Sequence, residues 1–177
     1  MKLYVTRHGQ TDWNYKGLLQ GNTDIPLNKM GEFQARNLKN KLDNVNFDLC
    51  ITSPLIRAST TTSIICESKI PIIKDKRLKE RNLGNLEGKD SHIFDAKLYW
   101  NYNINSSDNG VERVQDLFER VNSFLNDLKK YYKDFTILVV AHGAVVRALN
   151  FAINGYDENT NFLDFDVPNC SIFEYEI

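Results

Sequence analysis

Residues 136–141 read TILVVA, a run in which only the first residue is polar and none is charged. A strand with one face in water alternates apolar and polar residues. An unbroken apolar run of this length instead fits a strand covered on both faces, as in a parallel sheet with helices packed on either side. The rest of the chain must then supply partner strands and two layers of helix. Leu3 to Val5, Phe47 to Thr52, Ile70 to Lys74 and Ser171 to Glu176 read as the partners. Behind Asn28, a residue suited to cap a helix, Ala35, Leu38 and Leu42 recur at helical spacing. Ser53 is the expected N-cap and Pro54 a first-turn residue of a helix over Leu55 to Glu67, with Arg57 in its opening turn. A short helix is expected around Phe94 to Trp100. Val114, Leu117, Phe118, Val121, Leu125, Leu128 and Tyr132 then mark one apolar helical face, and Ala144 to Ile153 form a last helix. The alternation predicts an α/β fold: one three-layer α/β/α domain over residues 1–177 with a mostly parallel central sheet, and residues 89–110 as a short cap or insertion.

Charge narrows the partners. Lys and Arg total 22 against 23 Asp and Glu, a net charge of -1. There is no basic excess to neutralise nucleic acid or an anionic membrane, so neither is an expected partner, and any anion must be held by a local cluster. Cys50, Cys66 and Cys170 are odd in number and widely spaced, which predicts free thiols and a cytoplasmic protein. No run approaches the roughly 18 apolar residues of a membrane span. No His-x-x-His or aspartate-rich pattern suggests a metal or cofactor. His92 reads as a surface residue.

His8, Arg57 and His142 each follow the C-terminal end of a predicted strand, where open α/β sheets gather ligand-binding residues from distant parts of a chain. Arg7 and Arg57 supply planar forks suited to phosphate oxygens. Neighbouring cations oppose protonation of an imidazole, which leaves it neutral and nucleophilic near neutral pH. The expected partner is therefore a small phosphorylated molecule.

The ordered set Arg7-His8-Gly9-Gln10-Thr11, Gly21 to Gly31 (GNTDIPLNKMG), Ser53 to Ala58 (SPLIRA), Leu78 to Gly88 (LKERNLGNLEG) and Val139 to Gly143 (VVAHG) resembles the histidine phosphatase (phosphoglycerate mutase-like) superfamily. The resemblance implies that His8 accepts the phosphoryl group and that Arg7, Arg57 and His142, with the adjacent Gly143, form the phosphate pocket. It implies that Glu80 protonates the leaving oxygen and then deprotonates water, although Glu87 in the same loop is an alternative donor. It also implies that Asn14, Gln20, Gly21 and Thr23 line the substrate entrance, and that the arginines and imidazoles do the charge work without a metal or other cofactor.

Three departures bear on the substrate. Leu83 and Leu86 stand at positions where family phosphatases often carry aromatics, Thr60 replaces a usual Gln, and Gly110-Val111-Glu112 replaces a usual Gly-Glu-Ser. A cofactor-dependent mutase needs extra cations between the acid and the late histidine. Here the segment from Lys89 to Gly110 offers Lys89 and Lys97, and Arg81 is the one mutase-like residue. This favours a phosphomonoesterase over a phosphoglycerate mutase. An alpha-ribazole phosphatase is a further alternative, and a catalytically dead phosphate-binding domain ranks lower because His8 and Glu80 are both present. Tyr99, Trp100 and Tyr102 are expected either to touch an organic part of the substrate or to pack in the core. The sequence carries no signal for an oligomeric state.

Overall fold

The computed structural model describes residues 1–157 and 159–177. In chain order its elements are β1 (Lys2–Arg7), α1 (Asp12–Tyr15), α2 (Lys29–Lys41), β2 (Leu49–Thr52), α3 (Ile56–Cys66), β3 (Ile72–Lys74), α4 (Ala96–Tyr99), α5 (Val114–Tyr131), β4 (Thr136–Ala141), α6 (Gly143–Asn154) and β5 (Ile172–Glu176). Short 3-10 turns connect several of them. The sheet order is β3-β2-β4-β1-β5, with all pairings parallel except β1 with β5.

The apolar run that constrains the chain lies at the centre of this sheet and is divided between its two faces. Ile137, Val139 and Ala141 join the core under α5 and α6, together with Leu3, Val5, Leu49 and Ile51. Leu138 and Val140 turn the other way, against Leu38 and Leu42 of the α2 region and Ala58, Ile65 and Cys66 of α3. Each fully buried Leu or Val contributes roughly 1.5–3 kcal/mol relative to exposure, so truncating Leu138 or Val139, both 0% exposed, costs stability from the middle of the sheet. The stripe read on α5 is buried as expected from Val114 to Leu128, with Phe124 added and Tyr132 packed at its margin.

Several local expectations change. Asn28 caps α2 as read, accepting from the Gly31 N–H. Ser53, by contrast, is not the N-cap of α3: that position is Leu55, which has an extended backbone and makes no side-chain cap bond, and Pro54 precedes the helix. The hydroxyl of Ser53 is instead engaged by a histidine, described below. The helix expected around Phe94 to Trp100 contracts to α4. β3 is an exposed edge strand, with Ile72 and Ile73 40% and 44% exposed, and β5 closes the opposite edge in the antiparallel sense. The four-residue α1 was not anticipated. It starts at a capping box in which Thr11 and Asn14 satisfy each other's N–H groups. His92 is exposed as expected and pairs with Asp90 at 2.6 Å. The three cysteines are free thiols. No helix among the described residues is long and apolar enough to cross a membrane.

Candidate active site

Strand register assembles the site. Arg7 stands opposite Ala141 and Thr52 opposite Val140. The pairing continues one residue further: the His8 N–H donates to the Ala141 carbonyl and the Ser53 N–H to the Val140 carbonyl, both at 3.0 Å. His8, Ser53 and His142 therefore begin three adjacent loops at the carboxyl edge of the sheet.

His8 is 2% exposed, and its Nδ1 lies 2.6 Å from the Gly9 carbonyl oxygen. A carbonyl can only accept, so Nδ1 carries the proton and Nε2 keeps its lone pair. Gly9 is fixed in turn by donating to Thr61 Oγ1 at 3.1 Å. It also lies against backbone: a Cβ on Gly9 would overlap the Gly31 carbonyl, and one on Gly31 the Gln10 carbonyl. The loop after β1 is thus pinned to the first turn of α2 by a contact that only glycines permit.

Arg57 is fully buried and shares its Nε–H between His8 Nε2 at 3.3 Å and His142 Nδ1 at 3.2 Å. With Nδ1 accepting, His142 carries its proton on Nε2, which donates to Ser53 Oγ at 2.8 Å. The Arg57 terminal nitrogens donate to the carbonyls of Thr23 and Gly21 at 2.8 and 2.7 Å. One guanidinium thus links α3, both histidines and the loop at 20–23. Burial, followed by the cations Arg7 and Arg57, holds His8 well below the usual histidine range. Burial and then Arg57 act first on His142 in the same direction. Both imidazoles are neutral at neutral pH.

Arg7 donates through one terminal nitrogen to the Val167 carbonyl at 2.7 Å, while its buried Nε has no partner. Glu80 faces it across Gly143, and its carboxylate accepts from Arg81 N–H at 2.9 Å and Ala144 N–H at 3.2 Å, at the N-terminus of α6. Glu87 is used differently. It accepts from Asn22 N–H, Thr23 N–H, the Thr23 hydroxyl and Leu83 N–H at 2.5–3.1 Å, which anchors the loop at 20–23.

These residues surround a cleft of about 210 Å³. Of the residues singled out in the sequence, Arg7, His8, Asn14, Gln20, Gly21, Arg57, Glu80 and the mutase-like Arg81 line it. His142, Gly143 and Thr23 do not: His142 lies behind Arg57, and Thr23 is held by Glu87. Lys89 and Lys97 do not line it either, but Arg147 of α6 does, and Arg147 was not singled out. Trp100 and Phe94 supply an apolar wall with Leu18, Leu19 and Leu83. Tyr99 packs with Leu86 and Val111, and Tyr102 against Phe118 and Tyr156. Asn169 was also missed, although its side-chain amide donates to the His8 carbonyl at 2.9 Å. Among the described residues, no group of three or more His, Cys, Asp or Glu side chains is placed to hold a metal ion.

Comparisons with known proteins identify the family and the fold. The chain is 38% identical over 178 residues to a Bacillus subtilis (strain 168) protein named "Uncharacterized phosphatase PhoE", covering 96% of this chain and 88% of that one. It is 34% identical to a 2,3-bisphosphoglycerate-dependent phosphoglycerate mutase of Cytophaga hutchinsonii, covering 83% and 74%. The fold superposes on the alpha-ribazole phosphatase from Shigella flexneri with a TM-score of 0.85 at 29% identity, covering 100% of this chain and 91% of that one. The family described as the histidine phosphatase superfamily (branch 1) matches residues 3–177, and the chain belongs to it.

Proposed function

We propose that this enzyme is a phosphomonoesterase that hydrolyses a small phosphorylated metabolite through a phosphohistidine on His8. The observation that carries the reading is the orientation of His8: Nδ1 is committed to the Gly9 carbonyl, and Nε2 keeps an unprotonated lone pair that accepts from the Arg57 Nε–H at 3.3 Å. A phosphoryl group delivered there meets a neutral nucleophile beside fixed cations. Nε2 attacks phosphorus as the ester P–O bond breaks. Arg7, whose buried Nε has no protein partner, and Arg57, supported by His142, stabilise charge on the non-bridging oxygens. Glu80 gives a proton to the departing alkoxide, then takes one from the water that attacks the phosphohistidine, so that phosphate leaves and His8 is restored. Glu80 is favoured over Glu87 as this acid because it lines the cleft, while the Glu87 oxygens are occupied by the 20–23 loop. The guanidiniums supply the charge stabilisation that magnesium supplies in other phosphoryl transfers, which makes the reaction metal-independent.

A mutase is the second reading, favoured by the Cytophaga relative and by the presence of Arg81 and Arg147 at the cleft. Hydrolysis is preferred because the segment at 89–110 brings Phe94 and Trp100 to the cleft and no cation. We treat residues 89–110 as the cap of the one domain, and the three free thiols support a cytoplasmic setting. The test is hydrolysis of p-nitrophenyl phosphate with EDTA present. Turnover that disappears in His8→Ala supports the proposal; turnover that requires added metal, or persists in His8→Ala, overturns it.

A further inference from the structure

The loop between α6 and β5 runs along the site, and its last turn is strained. In that turn the Ser171 N–H donates to the Pro168 carbonyl at 3.1 Å, and the Ser171 hydroxyl donates to the same oxygen at 2.7 Å. Cys170 holds φ at 54°, in the left-handed region that suits glycine and strains a cysteine. Its N–H is tied to the Arg7 carbonyl at 3.0 Å, while Arg7 itself donates back to the Val167 carbonyl. Strain of this kind persists only where the surroundings impose it, and here it sets the side chain of the residue before, Asn169, against the loop that carries His8.

Asn169 uses its amide twice. Nδ2 donates to the His8 carbonyl at 2.9 Å and to Asn14 Oδ1 at 3.4 Å. A carbonyl can only accept, so the atom of Asn169 that faces His8 is its nitrogen. The first bond is a side-chain hold on the backbone from which the His8 ring projects. The second bears on Asn14, which lines the cleft although Asn169 does not. Asn14 Oδ1 also accepts from the Thr11 N–H at 3.1 Å, and a backbone N–H can only donate, so this end of the amide is the oxygen. The Asn14 NH2 is the end that remains, and it makes no hydrogen bond within the described residues. Turned the other way, the amide would oppose an oxygen to a phosphoryl oxygen.

Resting on the phosphatase reading, we propose that Asn169 is a positioning residue: without touching substrate, it holds the His8 backbone and turns the Asn14 amide so that its NH2 donates to the phosphoryl group. One side chain from the far end of the chain thereby couples the nucleophile to a donor on α1.

The test measures hydrolysis of p-nitrophenyl phosphate by the full chain. Asn169→Asp keeps the shape of the side chain and removes the donor, and Asn169→Ala removes the side chain. Asn169 itself is not in the left-handed region, so neither variant adds strain to the turn. In both, kcat should fall roughly tenfold, the size of one lost hydrogen bond, with KM changed by less than about threefold. Combined with Asn14→Ala, Asn169→Ala should cost less than the product of the two single losses, because both act through one amide. A role confined to holding the loop would not produce that coupling, and thermal melts of each variant report the fold separately. Parental kcat in either folded variant overturns the proposal, as do single losses that multiply in the double variant or activity that falls only with the folded fraction. Failure of the phosphatase reading looks different, because the parent protein would then hydrolyse no ester through His8, whatever residue stands at position 169.

Discussion

The rings of His8 and His142 lie with their centroids 5.1 Å apart at an angle of 60°, and the Nε–H of Arg57 is directed between them. Two imidazoles this close, buried and sharing one cationic donor, cannot both be protonated without severe repulsion. Each therefore presents a lone pair inward and commits its N–H elsewhere, His8 to the Gly9 carbonyl and His142 to Ser53.

The pH dependence of stability follows. Both histidines have a folded-state pKa below the unfolded value of about 6.5, so the unfolded chain binds more protons as the pH falls through that value. The contribution of the pair is full above about pH 6.5 and decreases below it. Thermal melts of the unliganded protein from pH 8 to pH 5 should show Tm falling on the acidic side, with a shallower fall in His8→Gln. An unchanged slope in that variant would contradict the account.

The two glutamates should separate by kinetics. Glu80→Gln removes the proposed proton donor at the cleft, and we expect kcat for an alkyl phosphate to fall by roughly 10²–10⁴. The loss should be much smaller for p-nitrophenyl phosphate, whose leaving group needs little protonation. Glu87→Gln leaves the donor in place but weakens the acceptor of four bonds that hold residues 22, 23 and 83. Its expected signature is a lower Tm and a higher KM, with no dependence on the leaving group. A reversal of the two patterns would exchange their roles.

Gly9→Ala is expected to harm both stability and chemistry. The added Cβ meets the Gly31 carbonyl, which belongs to the backbone of α2 and cannot rotate away. A shift of either segment costs about 1–3 kcal/mol and moves the carbonyl that orients His8. The check is denaturant unfolding together with kcat; a variant as stable and as active as the parent would show that the close approach is dispensable.

Ser53→Ala tests the positioning of His142. With the hydroxyl gone, Nε2–H loses its acceptor and the ring is free to change tautomer or rotate. We expect kcat to fall by roughly tenfold while the rest of the fold is preserved, and Ser53→Thr, which keeps a hydroxyl, to recover more activity than Ser53→Ala. Equal activity of all three proteins would remove Ser53 from the positioning of His142.

The fold was legible where burial leaves a periodic trace. The apolar run of β4, the stripe of α5 and the Asn28 cap can each be read from neighbouring residues, because local patterning and tertiary burial agree there. His8, Arg57, Glu80 and His142 were legible through a motif set rather than through spacing. Ser53 was misread because a serine before Pro54 carries a strong local capping signal, and nothing local reveals that His142, 89 positions away, claims its hydroxyl. Arg147 was hidden inside an otherwise uncharged, mostly apolar helix, and Asn169 in a loop. Their roles depend on partners such as the Phe165 and His8 carbonyls, and backbone acceptors leave no mark on residue type.

The central claim is tested most directly by trapping the intermediate. A phosphate-labelled ester is mixed with excess enzyme, quenched under alkaline conditions that preserve phosphohistidine, and the peptides are mapped by mass spectrometry. The account predicts label on the peptide containing His8, absent in His8→Ala and longer-lived in Glu80→Gln. Label on another residue, or turnover by folded enzyme with no covalent label within the first cycle, would contradict it.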